Sequence, residues 1–192
     1  MKVCVFCSSS NAVDERYRAA ADELGRALAR AGHGLVYGGS NVGLMHVIAR
    51  AALDEGAEVV GVIPEFMQQR NLAIAGATRL VITPGMRERK AEMERLADAF
   101  VAMPGGFGTL EEILEVLTLR GLGRHEKPVV FLSIDGFYEP LIAFFERLYE
   151  QRFASPLTRS LYHVASSPRD ALDHLASYRP APVADKWRST GG

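Results

Sequence analysis

The chain has 192 residues, 48% of them hydrophobic, and its 22 lysines and arginines nearly balance its 23 aspartates and glutamates. A chain of this length is expected to fold as one compact domain, and the balanced charge excludes a basic surface for a nucleic acid backbone. No apolar run approaches the roughly 20 residues that a membrane span needs, so we expect no membrane association and a cytoplasmic location.

Short apolar strands and amphipathic helices are predicted to alternate along the chain, beginning with a strand at 3–7 and a helix at 17–31. Further strands are predicted at 35–37, 58–63, 80–82, 100–102 and 129–132, with a weaker one at 161–165. Further helices are predicted at 44–52, 86–97, 109–119, 138–150 and 168–175. This alternation predicts an α/β fold: a doubly wound, Rossmann-like parallel sheet with helices on both faces.

The ends of the chain carry weaker signals. A single Rossmann-like domain is expected over 1–178, and residues 179–192 are expected to form an irregular tail, in which Trp187 is a candidate anchor. Cys4 and Cys7 form a C-x-x-C pair, but within an apolar strand-like run, so we interpret them as buried structural thiols. The histidines are scattered and no second cysteine pair exists, so no metal site is predicted.

Ligands of open α/β sheets bind beyond the carboxyl ends of the strands, which directs attention to the turns at 8–11, 38–43 and 104–109. The turn at 38–43 reads G-G-x-x-x-G and follows the second predicted strand, so it does not match the dinucleotide fingerprint. Its glycines are compatible with an anion site or with a tight turn alone.

The segment 104–112 carries a stronger signal, because Gly105, Gly106 and Gly108 directly precede a predicted helix. Such a turn lets the backbone and the helix N-terminus approach a phosphate. An alternative is a capping box, in which Thr109 caps the helix and Glu112 is its reciprocal partner. The spacing leaves both interpretations open.

The helix at 86–97 is rich in charge, and most of its charges are expected on a solvated face with pairs such as Lys90–Glu94. Its buried stripe is predicted to comprise Met86, Met93, Leu96 and Ala97. Arg89 falls on this stripe, where a cation needs an anionic partner such as a substrate phosphate or a carboxylate of the next loop. The alternative is an arginine that extends to the helix edge.

Together, M-x-x-R-K at 86–90 and P-G-G-x-G-T-x-x-E at 104–112 resemble the paired signature of the LONELY GUY family, the cytokinin riboside 5′-monophosphate phosphoribohydrolases, also labelled lysine decarboxylases. The resemblance covers almost the whole chain. It implies hydrolysis of the N-glycosidic bond of a cytokinin riboside 5′-monophosphate or AMP-like nucleotide, giving the free base and ribose 5-phosphate. It also implies a homodimer, and no cofactor is expected.

The resemblance places the family's catalytic pair on Arg89 and Glu112. A carboxylate at Glu112 would stabilise positive charge at C1′ or activate water, whereas Arg89 would orient phosphate or Glu112, or stabilise the leaving base. The substrate-binding positions that it implies are Lys90, Gly105, Gly106, Phe107, Gly108, Thr109, Glu111, Thr118, Gly38, Gly39, Ser8, Asn71 and Met86.

Several positions depart from the family pattern, which leaves the preferred base open. They are Ser40, His46, Asn71, Ile74, Leu119 and Gly121. A competing function is a non-catalytic nucleotide or molybdenum-cofactor carrier, because similar folds serve that purpose. Lysine decarboxylation is rejected, because it needs a Schiff-base lysine for pyridoxal phosphate and so small a domain leaves little room for that cofactor.

Overall fold

A computed structural model describes residues 1–70 and 72–180 of the chain. Within them the strands are β1 (Lys2–Phe6), β2 (Gly34–Tyr37), β3 (Val59–Pro64), β4 (Arg79–Thr83), β5 (Ala99–Ala102), β6 (Val129–Leu132) and β7 (His163–Ala165). The α-helices are α1 (Glu15–Arg30), α2 (Gly43–Asp54), α3 (Glu65–Gln68), α4 (Met86–Leu96), α5 (Phe107–Gly121), α6 (Glu139–Glu150) and α7 (Pro168–Ser177). Two 3₁₀ helices lie at Ile134–Gly136 and Pro156–Leu161.

The strands form one parallel sheet in the order β4-β3-β2-β1-β5-β6-β7. From β1 the chain moves outward through β2 and β3 to β4, and then returns past β1 to begin the other half at β5. The direction of winding therefore reverses between β1 and β5, which is the switch point where such sheets bind ligands.

Helices cover both faces of the sheet, because the strands are apolar on both sides. One buried cluster joins the sheet to α1, α2 and α7, and the other joins it to α4, α5 and α6. The predicted doubly wound α/β fold is confirmed. No helix within the described residues is long and apolar enough to cross a membrane.

Several details differ from the sequence predictions. The four-residue helix α3 was not predicted, because it is too short to show a hydrophobic period. Helix α5 begins at Phe107, two residues before the predicted start. Met86 was predicted to be buried and is 43% exposed, because it is the first residue of α4.

Cys4 and Cys7 are free and buried, as predicted. Burial, with the nearby Glu112 carboxylate adding to it, raises the pKa of both thiols and keeps them protonated. The predicted role of Trp187 lies outside the described residues.

Candidate active site

The turns that follow β1, β2 and β5 meet at the switch point. The Ser8 amide donates to the Pro104 carbonyl over 3.3 Å, which joins the turn after β1 to the turn after β5. The Leu44 amide donates to the Ser8 carbonyl over 2.9 Å, and the Gly43 amide to Asn11 Oδ1 over 2.9 Å. The three turns singled out in the sequence therefore form one continuous surface.

Arg89 projects from α4 into the protein below this surface, and only 5% of it is exposed. Its Nε donates to the Val62 carbonyl over 3.1 Å, and its Nη1 donates to Glu112 Oε1 over 2.5 Å. The alternative of an arginine extended to the helix edge is wrong. The anionic partner is a carboxylate from α5.

Gly38, at the end of β2, leaves the space that the Arg89 guanidinium occupies. A Cβ at Gly38 would lie 2.0 Å from Arg89 Nη2 and 2.9 Å from Met45 Sδ. No side chain fits there while Arg89 keeps its position. The first glycine of the turn after β2 is thus required by the arginine, whereas the sequence suggested an anion site or a tight turn.

Glu112 is buried, with 8% of it exposed. It lies about one and a half helical turns after the start of α5. Burial raises its pKa, and the attraction of the Arg89 charge opposes this rise without cancelling it. A carboxyl group with a raised pKa beside a fixed cation is typical of functional sites.

The capping-box alternative is wrong. Helix α5 begins at Phe107 after Gly106, and no side chain caps its N-terminus. Thr109 lies within the first turn, and a Cβ at Gly105 would lie 2.1 Å from Thr109 Oγ1. Gly105 therefore allows Thr109 to pack under the turn, and Glu112 is free to pair with Arg89.

The N-termini of α2 and α5 differ in what their amides bind. In α2, the amides of Gly43 and Leu44 already donate to the turn after β1. In α5, the first helical bond is from Leu110 to Gly106, and the amides of residues 107–109 have no acceptor among residues 1–70 and 72–180. The anion-binding capacity of a helix N-terminus is thus available at α5.

Lys90 follows Arg89 and also connects α4 to α5. Its Nζ contacts Glu111 and lies 2.8 Å from Glu115 Oε2, and these carboxylates raise its pKa. The predicted pairing of Lys90 with Glu94 is replaced by these contacts. Two consecutive cations of α4 therefore pair with two consecutive carboxylates of α5. The Arg89–Glu112 pair is buried, and the Lys90–Glu111 pair lies near the surface.

The remaining predicted residues are distributed more widely. Phe107 lies within the turn at 104–109 and is 93% exposed, and the Ser8 hydroxyl accepts a hydrogen bond from the Ser10 amide. Gly39 has a positive φ and lies against the backbone of Val62. Asn71 lies outside the described residues.

Thr118 does not lie next to the Arg89–Glu112 pair. It is six residues beyond Glu112, which is about 9 Å along the helix axis. Its side chain is exposed, and its hydroxyl donates to the Leu114 carbonyl. Gly121 lies farther along and faces Leu161. Within this chain, neither position borders the buried pair.

The segment around Ile74 lies across the turn after β2. The Ile74 amide donates to the Gly39 carbonyl over 3.1 Å, and Ala73 forms an antiparallel bridge with Ser40. The Ile74 side chain is buried in the core. At this position, which departs from the family pattern, an apolar side chain therefore packs into the core and holds the segment in place.

Sequence reasoning missed two hydrogen-bond acceptors of the site. The Val62 carbonyl, two residues before the end of β3, and the Asn11 side chain, in the turn after β1, were not predicted as acceptors. The sequence signal that could have identified them was their position near the end of β3 and after the end of β1. Within the described residues, no three His, Cys, Asp or Glu side chains form a group that could hold a metal ion.

The fold and the site define an α/β protein with an uncapped helix N-terminus and a buried arginine–glutamate pair at its switch point. The family model described as "Possible lysine decarboxylase" matches residues 45–175. Cytokinin riboside 5′-monophosphate phosphoribohydrolase LOG of Oryza sativa subsp. japonica is 42% identical over 93% of this chain and 74% of its own length. The LOG3 enzyme of Arabidopsis thaliana is 40% identical over 93% of this chain and 83% of its own.

The chain belongs to this LOG-type family, as the paired motifs predicted. Solved structures extend the similarity in fold. The molybdenum cofactor binding protein of Rippkaea orientalis superposes with a TM-score of 0.71 at 22% identity, over 92% of this chain and 95% of that one. A molybdenum cofactor carrier protein of Chlamydomonas reinhardtii gives a TM-score of 0.70 at 23% identity, over 91% and 95% of the two chains.

Proposed function

We propose that this protein hydrolyses the N-glycosidic bond of a cytokinin riboside 5′-monophosphate or an AMP-like nucleotide, giving the free base and ribose 5-phosphate. The observation that carries the proposal is the pairing of two features on α5. Its unpaired N-terminal amides provide a phosphate site, and Glu112 lies about 7 Å farther along the axis, comparable with the span of a ribose phosphate.

In the proposed reaction, the bond between C1′ and the base breaks through a state with positive charge at C1′. The Glu112 carboxylate stabilises that charge or removes a proton from the attacking water, as carboxylates do in glycosidases. The water oxygen bonds to C1′ and the water proton passes to the leaving base. Arg89 donates to Glu112 through a planar guanidinium, so its role in the proposed reaction is to orient that carboxylate.

The turn at 104–109, which is the phosphate turn of this proposal, supplies binding energy at a distance from the broken bond. Amides at a helix N-terminus attract the 5′-phosphate, and the backbone at Gly106 and Gly108 has open space around it. Holding the phosphate fixes the ribose relative to Glu112. Lys90 is a candidate for further phosphate contact, although Glu111 and Glu115 compete for its charge.

The name of the matching family model does not fit this site. Pyridoxal phosphate chemistry needs a lysine that is readily deprotonated, and such lysines have a lowered pKa. The pKa of Lys90 is raised by Glu111 and Glu115. Lys2 pairs with Glu58, and Lys127 donates to the Glu94 carbonyl, both outside the described active site.

A homodimer in the cytoplasm is part of the proposal. Large apolar side chains lie exposed on and after α6, namely Phe144, Phe153 and Leu157, and a second copy of the chain would cover such a surface. Light scattering tests this directly. The expected mass is twice the chain mass of 21.0 kDa, and a mass of a single chain would contradict the dimer.

The reaction is tested by incubating the protein with isopentenyladenosine monophosphate, AMP, GMP and CMP while measuring released base and ribose 5-phosphate. We expect cleavage of the adenine-type nucleotides, and loss of turnover in Arg89→Ala and Glu112→Gln. Glu146→Gln is the matched control, because Glu146 pairs with Arg159 on the surface, away from the pair. Binding of nucleotides without release of ribose 5-phosphate would favour a carrier, which the distant structural neighbours exemplify.

A further inference from the structure

Met103 lies between the end of β5 and the phosphate turn, and it is fully buried. The pairing of β5 with β6 ends at Ala102, opposite Phe131. Met103 comes next: its amide donates to the Phe6 carbonyl over 2.9 Å, and Pro104, which has no amide hydrogen, follows it. A buried carbonyl beyond the end of a strand pair needs a donor from elsewhere, because leaving it unpaired is costly.

Tyr138 supplies that donor. Its hydroxyl donates to the Met103 carbonyl over 2.7 Å, and its side chain is buried. Tyr138 is itself held from several sides. Its amide donates to Ser133 Oγ over 2.9 Å, and its ring packs edge-on against Phe131 and Phe137 at centroid distances of 5.2 and 5.0 Å.

Two consecutive carbonyls at the start of the turn are thus fixed from opposite sides. Tyr138, from the segment after β6, holds the Met103 carbonyl, and the Ser8 amide, from the turn after β1, holds the Pro104 carbonyl. Gly105 and Gly106 follow directly and lead into the unpaired amides of α5. Glycines give the backbone freedom, so the geometry of this turn depends on the anchors before it.

We propose that Tyr138 is a positioning residue, whose hydroxyl fixes the turn so that the amides of α5 converge on the 5′-phosphate. The inference rests on the proposed function for its substrate. Tyr138 acts through Met103 and does not contact the reacting atoms. Burial raises the pKa of the Tyr138 hydroxyl, so it remains a donor throughout the working pH range.

Tyr138→Phe tests the proposal, because it removes only the hydroxyl. One neutral hydrogen bond contributes roughly 0.5 to 1.5 kcal/mol, so KM for the best nucleotide substrate should rise about two- to tenfold, with kcat changed less. The affinity for ribose 5-phosphate should fall by a similar factor. The affinity for adenosine, which has no phosphate, should stay at the wild-type value.

Tyr149→Phe is the matched control. Tyr149 is another buried tyrosine of the same sheet face, and its hydroxyl lies 3.4 Å from that of Tyr162 instead of near the turn. The same chemical change there should leave KM unaltered. If Tyr138→Phe does not fold, Ser133→Ala replaces it, because it removes the acceptor of the Tyr138 amide and should raise KM in the same direction.

The outcomes separate this inference from the proposed function. A wild-type protein that cleaves no nucleotide contradicts the function, while the affinities of Tyr138→Phe for ribose 5-phosphate and adenosine still test the role of Tyr138. An active wild type with equal KM in Tyr138→Phe and Tyr149→Phe overturns the inference. Equal losses for ribose 5-phosphate and adenosine also overturn it, because they indicate a general structural role.

Discussion

The guanidinium of Arg89 lies directly against the backbone of Gly38, and a Cβ added there would come within 2.0 Å of Nη2. The same guanidinium donates to the Val62 carbonyl and to Glu112. Arg89 is therefore positioned by two acceptors and by the absence of a side chain. This contact connects the glycine turn after β2 to the proposed chemistry through Arg89.

Gly38→Ala should reduce turnover by at least about tenfold, because the new methyl group forces Arg89 away from Glu112 and a small displacement of a positioned group is costly for catalysis. Overpacking of this kind also costs about 1 to 3 kcal/mol of stability. Turnover and thermal unfolding of the same preparations measure the two effects. Gly121→Ala is the control, because its Cβ would meet only Leu161 Cδ1 at 3.3 Å. Wild-type turnover in Gly38→Ala would contradict the role assigned to Arg89.

Gly106→Ala should fold normally and bind nucleotide poorly. No atom lies within 4 Å of the position of its Cβ, and its φ of −92° suits alanine. A phosphate held by the adjacent amides would occupy this space, so its affinity should fall by roughly 10- to 100-fold, the equivalent of one or two charge-assisted hydrogen bonds. Calorimetric titration with ribose 5-phosphate measures the loss.

Gly105→Ala provides the contrast, because its Cβ would lie 2.1 Å from Thr109 Oγ1. That variant should lose stability, which thermal unfolding detects. If Gly106→Ala binds ribose 5-phosphate as well as the wild type does, the phosphate does not approach the turn at this residue.

The position of Arg89 could be predicted because helical periodicity is a local property. Spacing from Met93 placed Arg89 on the inward face of its helix, and the structure confirms its burial. The same reasoning was wrong for Met86, because periodicity does not show where the end of a helix extends past the sheet. The pairing of Lys90 with α5 was missed for a related reason, since sequence spacing reports neighbours within one helix only.

Glu112 shows where the sequence was ambiguous. The spacing from Thr109 to Glu112 is that of a capping box, and it is also the spacing of a first-turn threonine followed by an inward carboxylate. The choice depends on whether α5 begins at residue 107 or residue 110, which packing against Gly105 decides. The Tyr138 hydrogen bond was also beyond prediction, because it joins residues 35 positions apart.

Glu112→Gln should lose turnover by about 10²- to 10⁴-fold, the usual contribution of a general acid or base. It should not lose stability at neutral pH. Because burial raises the folded-state pKa of Glu112 above its ordinary value of 4.5, the folded protein holds this proton more tightly than the unfolded chain does. The resulting stabilisation is complete below the unfolded pKa and is lost as pH rises through the raised folded pKa.

Above its raised folded pKa, the wild-type Glu112 carries a charge whose burial costs more than the attraction of Arg89 returns, and glutamine avoids that cost. We expect the Tm of Glu112→Gln to equal or exceed that of the wild type near pH 7, with the difference shrinking on acidification. Turnover of the wild type should fall over the same pH range, as Glu112 takes up its proton. Thermal unfolding and initial rates measured across pH in one buffer series test both expectations.

Glu55→Gln is the control, because the opposite effect on stability is expected for it. Hydrogen bonds from Arg30 and Arg26 lower the pKa of Glu55, so its stabilisation is present above the unfolded pKa and is lost as pH falls through the lowered folded value. Glu55→Gln should therefore be less stable than the wild type near pH 7 and should retain full turnover. If Glu112→Gln instead loses stability near pH 7 in the manner of Glu55→Gln, the Arg89 attraction exceeds the burial cost, and Glu112 titrates below its ordinary pKa.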